Sequence, residues 1–132
     1  MEKIDKSCWA RKEIFDFFSP LTNPFYSVTF RMDVTELYDY AKKNGLSFYY
    51  SMCYLCTKAV NETDAFQYVI RGDEIWHLDG RNPSFTDLKK GSETFYIVTM
   101  PMCSSLEEFS REAKRRSSGQ TFFIPPGRFI SR

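Results

Sequence analysis

The run LSFYYSMCYLCTKAVNET, residues 46–63, is apolar on most sides of a helical wheel. That pattern predicts a helix largely buried on both sides, which needs other layers of structure around it. Immediately after it the period shortens. FQYVI (66–70) and IWHLD (75–79) flank RGDE, where Gly72 and Asp73 supply the turn geometry of a β-hairpin. A covered helix feeding an antiparallel hairpin argues for helices packed on a sheet.

The flanking segments extend this pattern. Upstream, DVTELYDYAKKNG (33–45) reads as a helix: Asp33 stands where a cap is needed, Glu36 follows three residues on, and Asn44-Gly45 closes the end. FYSVTFRM (25–32) alternates and is rich in β-branched and aromatic residues, so it is expected to be a strand. WARKEIFDFFSP (9–20) is expected to be a short amphipathic helix that stops before Pro20. Downstream, SFTDL (84–88) and ETFYIVTM (93–100) are expected strands, the second apolar enough to be central. SSLEEFSREAKRRSSG (104–119) is a helix capped by Ser104 or Ser105 with Glu107 or Glu108, and TFFIPPGRFISR (121–132) a strand, turn and strand. The expected fold class is α+β, a two-layer sandwich of helices on a mixed or antiparallel sheet, in one domain spanning 1–132. The closing apolar strand at 128–131 has nothing obvious to cover it, which points to an oligomer or to a chain truncated on its C-terminal side.

The totals exclude several function classes. A net charge of +1 gives no electrostatic reason to bind nucleic acid or a membrane surface. The KRR run at 114–116 sits among Glu107, Glu108 and Glu112, as on a solvated helix face. No apolar run reaches the roughly 18 residues of a membrane span, and the N-terminus lacks a signal-peptide core, which fits a cytoplasmic protein with reduced cysteines. CYLC (53–56) has half-site spacing for zinc or redox chemistry, but it lies inside the helical run and no second pair completes it. Buried, structural thiols and no metal site are expected. His77, the single histidine, falls on the second arm of the hairpin and is expected to be a surface histidine on a strand.

Taken in order, WARKEIFDFF, FYSVTFRMDVT and LSFYYSMCYLCTKAVN, followed by DEIWHLDG and SETFYIV, resemble the N-terminal half of the chloramphenicol acetyltransferases. The resemblance covers residues 5–124. It implies trimers of two-layer subunits that move acetyl from acetyl-CoA, a co-substrate, to a hydroxyl of the antibiotic. A histidine from a late His-His-x-x-x-Asp-Gly motif acts as general base, a task suited to imidazole near neutral pH. His-Leu-Asp-Gly at 77–80 is two residues too short for that motif and aligns elsewhere, so no catalytic residue is assigned in this chain.

By the same resemblance, Phe17, Phe18, Thr22, Pro24, Tyr26 and Phe95 fall where the family lines its acceptor site, while Phe17 and Phe18 read equally well as ordinary core. Phenylalanine at 18 stands where tyrosine is usual and Thr22 replaces a leucine, which leaves open chloramphenicol or another hydroxylated small molecule. Arg11 matches an arginine that partners the late aspartate and supports the catalytic loop. Without that aspartate it must be solvent-exposed, re-paired with Glu13, Asp16 or another carboxylate, or met by a second chain. Two functions follow: an acetyltransferase of this type seen in part, or a catalytically inactive binding domain that keeps the acceptor pocket and the oligomer interface.

Overall fold

A computed structural model describes residues 1–88, 91 and 93–123. The expected turn and strand at 124–132, including the closing strand, lie outside the described residues. The fold is α+β, and the described residues form four α-helices and two small antiparallel sheets.

The covered run forms helix α3, Phe48–Glu62. Ser47 starts it: its backbone is extended and its Oγ accepts from the Tyr50 N–H at 3.3 Å, satisfying one of the free donors of the first turn. Only one face is fully covered. Tyr50, Ser51 and Tyr54 are buried, whereas Tyr49, Leu55, Cys56 and Ala59 are exposed. The expectation of burial on both sides fails here, because the described structure packs on α3 from some directions only. Helix α2, Thr35–Lys43, lies along one flank, and helix α4, Leu106–Gly119, along another. Between α2 and α3 an open apolar cleft of about 360 Å³ remains, lined by Met32, Leu37, Met52 and Leu55 among others.

Helix α2 ends as its sequence suggests. Gly45 adopts φ +65°, and the N–H groups of Gly45 and Leu46 return to the carbonyls of Lys42 and Ala41. Helix α4 is capped by Ser105, whose Oγ accepts from the Glu108 N–H at 3.1 Å, while Ser104 Oγ donates to the Glu108 carboxylate at 2.8 Å.

The main core lies where α3 and α4 meet the two-stranded sheet of β4 (Ser84–Leu88) and β5 (Phe95–Thr99). Alternation along β4 and β5 turns Phe85 and Val98 inward, where they join Tyr50, Tyr54, Met100, Phe109 and Ala113. Phe109 has no exposed surface and sits 5.5 Å, ring to ring, from Tyr54 and 6.2 Å from Phe85. The free side of β5 is followed by residues 120–123: the Ile97 N–H donates to the Phe123 carbonyl, and Gln120 Nε2 donates to the Ile97 carbonyl.

The hairpin forms as expected from β2 (Tyr68–Arg71) and β3 (Glu74–His77), with Gly72 at φ +59° in the two-residue turn. The N-terminus adds a strand that the sequence did not advertise. β1 (Glu2–Lys3) pairs with the outer side of β3, so β3 is the middle strand. Helix α1, Lys12–Phe18, ends at Ser19 ahead of Pro20 and has no buried residue. Trp9 supports it from outside, with its ring 5.8 Å from Phe15.

One expected element is missing. Residues 25–32 join neither sheet, and no backbone hydrogen bond pairs them with any described residue. The alternation is present, but a strand exists only through a partner, and the described residues supply none.

Two outcomes follow from this packing. Phe109→Ala leaves a cavity between both helices and the sheet; urea denaturation should show a loss of about 3–5 kcal/mol. The second concerns Glu112, whose carboxylate accepts from Arg115 at 2.7 Å and from Arg116 at 2.5 Å. Hydrogen bonds from Arg115 and then Arg116 hold its pKa down to about 2 from 4.5. A lowered carboxyl pKa stabilises the fold above pH 4.5 and ceases to do so as pH falls through 2. Stability of the parent chain should therefore fall more steeply between pH 4.5 and 2 than that of Glu112→Gln.

Candidate functional site

The single histidine belongs to a surface cluster at the junction of α1, the hairpin and the end of α3. A short 3₁₀ turn, Asp64–Gln67, follows α3 and presents Asp64 outward. Asp64 Oδ1 lies 2.9 Å from His77 Nε2, and its Oδ2 accepts from Arg11 Nη2 at 3.2 Å. A carboxylate accepts only, so Nε2 is the protonated nitrogen of His77. The His77 ring stands edge-on to Tyr68, its cross-strand neighbour, at 4.9 Å. The Arg11 guanidinium covers the Tyr68 ring at 4.6 Å, and the Trp9 ring lies 5.6 Å from it.

This settles where Arg11 goes. It is half-exposed and paired with a carboxylate, Asp64 rather than Glu13 or Asp16. Asp16 is instead bound by Lys12, one turn earlier on α1. The sequence gave little sign of Asp64 as the hub. It is one acid among many, and only the return of the hairpin onto the end of α3 places His77 and Arg11 on either side of it.

The residues expected around an acceptor are distributed differently. Phe17 and Phe18 touch one another edge to face at 5.0 Å and are 69% and 48% exposed, so they are not core. Thr22 and Pro24 are exposed in the following loop, and Tyr26 is 90% exposed. Phe95 stands apart at the start of β5, half-exposed, with its ring 5.5 Å from Phe123. Among the described residues no ring contact joins Phe95 to Phe17 or Phe18. The structure thus groups Phe17, Phe18, Thr22, Pro24 and Tyr26 along one open stretch of chain and leaves Phe95 on another layer.

A polar depression of about 340 Å³ opens between α3, the β4–β5 sheet and the end of α4, lined by Tyr50, Asp87, Tyr96, Ser117, Ser118 and Gln120 among others. The Tyr50 hydroxyl donates to the Asp87 carboxylate, and the Tyr49 hydroxyl donates to the Thr86 carbonyl at 2.6 Å. Burial first, then the bond to Asp87, pushes the Tyr50 hydroxyl above its ordinary pKa, so it remains a donor at neutral pH. This pair ties α3 to β4. The sequence reading missed it, since Asp87 is four residues beyond Pro83 on an ordinary strand.

The four cysteines are free thiols. Cys53 and Cys103 are partly buried, and burial raises both thiols away from reactivity. Cys56 is exposed, against the expectation of a buried CYLC pair, because it points along the uncovered flank of α3. Among the described residues no group of three or more His, Cys, Asp or Glu side chains is placed to hold a metal ion. No described helix is long and apolar enough to cross a membrane.

Removing the Tyr50 hydroxyl isolates its contribution. Tyr50→Phe keeps the ring in the core but leaves Asp87 without its donor, and denaturation should show a loss of about 1–3 kcal/mol.

Comparison with known proteins places this architecture. The protein-family model for chloramphenicol acetyltransferase matches residues 1–130. Chloramphenicol acetyltransferase 3 of Escherichia coli is 32% identical over 107 residues, which cover 81% of this chain and 50% of that protein. The Clostridium perfringens chloramphenicol acetyltransferase is 36% identical over 109 residues, covering 82% and 51%. The Staphylococcus aureus one is 32% identical over 126 residues, covering 91% and 58%. A solved chloramphenicol acetyltransferase structure superposes with a TM-score of 0.84 at 28% identity, covering 92% of this chain and 57% of the other. The chain spans about half the length of the curated relatives it matches. With α+β architecture, segment order and sequence in agreement along nearly its whole length, this chain belongs to the chloramphenicol acetyltransferase family.

Proposed function

We propose that this chain is the acceptor-binding portion of an acetyl-CoA-dependent O-acetyltransferase acting on chloramphenicol or a similar hydroxylated small molecule. The observation that carries this reading is the family match along residues 1–130, joined to the exposed aromatic stretch from Phe17 to Tyr26. Flat aromatic side chains bury much apolar area with few rotamers to freeze, which suits a nitrophenyl ring. Phe17, Phe18, Thr22, Pro24 and Tyr26 form one wall of the acceptor site. Phe95 contributes from a separate layer, and Arg11 supports the site through Asp64. The protein works in the cytoplasm as a homo-oligomer, a trimer by family, with the acceptor site completed between chains.

In the reaction the acceptor oxygen attacks the thioester carbonyl, its proton passes to a base, and CoA leaves as the thiol. In this reading His77 is not that base. The chain holds one histidine, and its Nε2 is engaged with Asp64 while its ring packs on Tyr68. Losing a general base alone costs roughly 10²–10⁴ in rate. This engagement of His77 favours the second reading, a domain that binds the acceptor but does not turn it over.

The test separates the two activities. Incubated with acetyl-CoA and chloramphenicol, the purified chain should give a chromogenic disulfide reagent no more thiol than its own four free cysteines give in a control without chloramphenicol. Thiol release abolished by His77→Ala would overturn the assignment of the base. Calorimetric titration with chloramphenicol should show binding that Phe17→Ala and Tyr26→Ala weaken. Absence of binding would overturn the acceptor-site reading.

A further inference from the structure

The CYLC run has no part in the proposed acetyl transfer. Cys53 and Cys56 are free thiols three residues apart on α3, and Met52 stands immediately before the first of them. Positions i, i+1 and i+4 of a helix form a triangle of surface neighbours, with Cys56 lying between the other two on the helical wheel. Met52 and Cys53 are part-buried and Cys56 is exposed, so the triangle is open to solvent. Burial first, with the Cys56 thiol among the lesser causes, raises the Cys53 thiol pKa, which puts the two sulfurs within electrostatic reach of each other.

Met52 and Cys56 also line the open cleft of about 360 Å³ between α2 and α3. A second thioether, Met32, lines that cleft from the segment leading into α2 and is 61% exposed. The carboxylates of Asp33 and Glu36 belong to the same lining and favour the entry of a cation. We propose that the four sulfurs of Met32, Met52, Cys53 and Cys56 form a binding site for one soft monovalent metal ion of the Cu(I) type. Thiolate and thioether donors are soft and select such an ion, whereas a structural Zn²⁺ site takes four thiolate or imidazole donors. Among the described residues no third Cys or His joins this pair. The sequence offers CYLC no second pair of cysteines or histidines; the fold offers it two methionines instead. On binding, both thiols lose their protons to solvent, two metal–thiolate bonds form and no electron is transferred.

The test titrates the reduced, intact chain with Cu(I) under anaerobic conditions, in competition with a chromogenic Cu(I) chelator. One ion should bind per chain, and X-ray absorption at the copper edge should show sulfur neighbours alone. Cys56→Ser, Met52→Leu and Met32→Leu should each weaken binding at least about tenfold. The two methionine substitutions nearly conserve volume, and circular dichroism of all three variants should match the parent. Cys8→Ser, which removes an exposed thiol remote in sequence, should leave the affinity within about threefold. Alkylation by iodoacetamide gives a second readout on the unsubstituted chain, and so decides the matter where a variant fails to fold. Cu(I) should slow alkylation of Cys56 more than about tenfold and leave Cys8 unchanged. Binding indifferent to both methionines, binding lost in Cys8→Ser, or displacement of the ion by an equal amount of Zn²⁺ overturns the proposal. No readout involves acetyl-CoA or chloramphenicol, so the result stands apart from the acceptor-site reading.

Discussion

Phe109 is the side chain on which the described fold turns. It enters from α4 where α3 and the β4–β5 sheet come together, touching Tyr54 on one side and Phe85 on the other. Three elements distant in sequence are therefore held by a single aromatic contact set, with Val98, Met100 and Ala113 completing it. Aromatic rings serve this role well because each buries a large area in few conformations. Around that point the chain adds polar ties rather than more core: Tyr49 and Tyr50 each reach from α3 to β4.

Away from this core the molecule is open. α1 has no buried residue, the segment after it carries its aromatic side chains into solvent, and one flank of α3 is uncovered. Contiguous exposed apolar side chains of this extent are uncommon on folded monomeric domains. Their exposure runs along one continuous stretch, from Phe17 through Met32, which is also where the family resemblance locates acceptor contacts. Surface apolarity thus coincides with residues proposed to hold a ring-bearing acceptor, Phe17, Phe18 and Tyr26 among them.

The histidine shows how context decides chemistry. Imidazole beside a carboxylate is an arrangement that proteins use for proton transfer. Here the carboxylate is shared with Arg11, and the ring packs against Tyr68 on a hairpin braced by β1. The cluster joins the first helix to the sheet. Its parts are surface groups worth little individually, and their value lies in orientation more than in energy.

Much of this was legible in the residues themselves. The four helices, their serine and glycine boundaries, the hairpin turn at Gly72 and both strands of the β4–β5 pair follow from capping chemistry and side-chain period, which are local. So does the family, through the order of its segments. Three things were not local. Whether FYSVTFRM becomes a strand depends on a partner; whether α3 is covered on one side or two depends on what packs there; and Asp64 becomes the partner of both Arg11 and His77 only when the hairpin folds back. The sequence by itself determined which segments are helical and that 68–71, 74–77, 84–88 and 95–99 are strands, because capping and side-chain period depend on neighbours along the chain. Only the tertiary structure decided which apolar faces are buried and which stand open, because burial depends on surfaces brought together from distant positions.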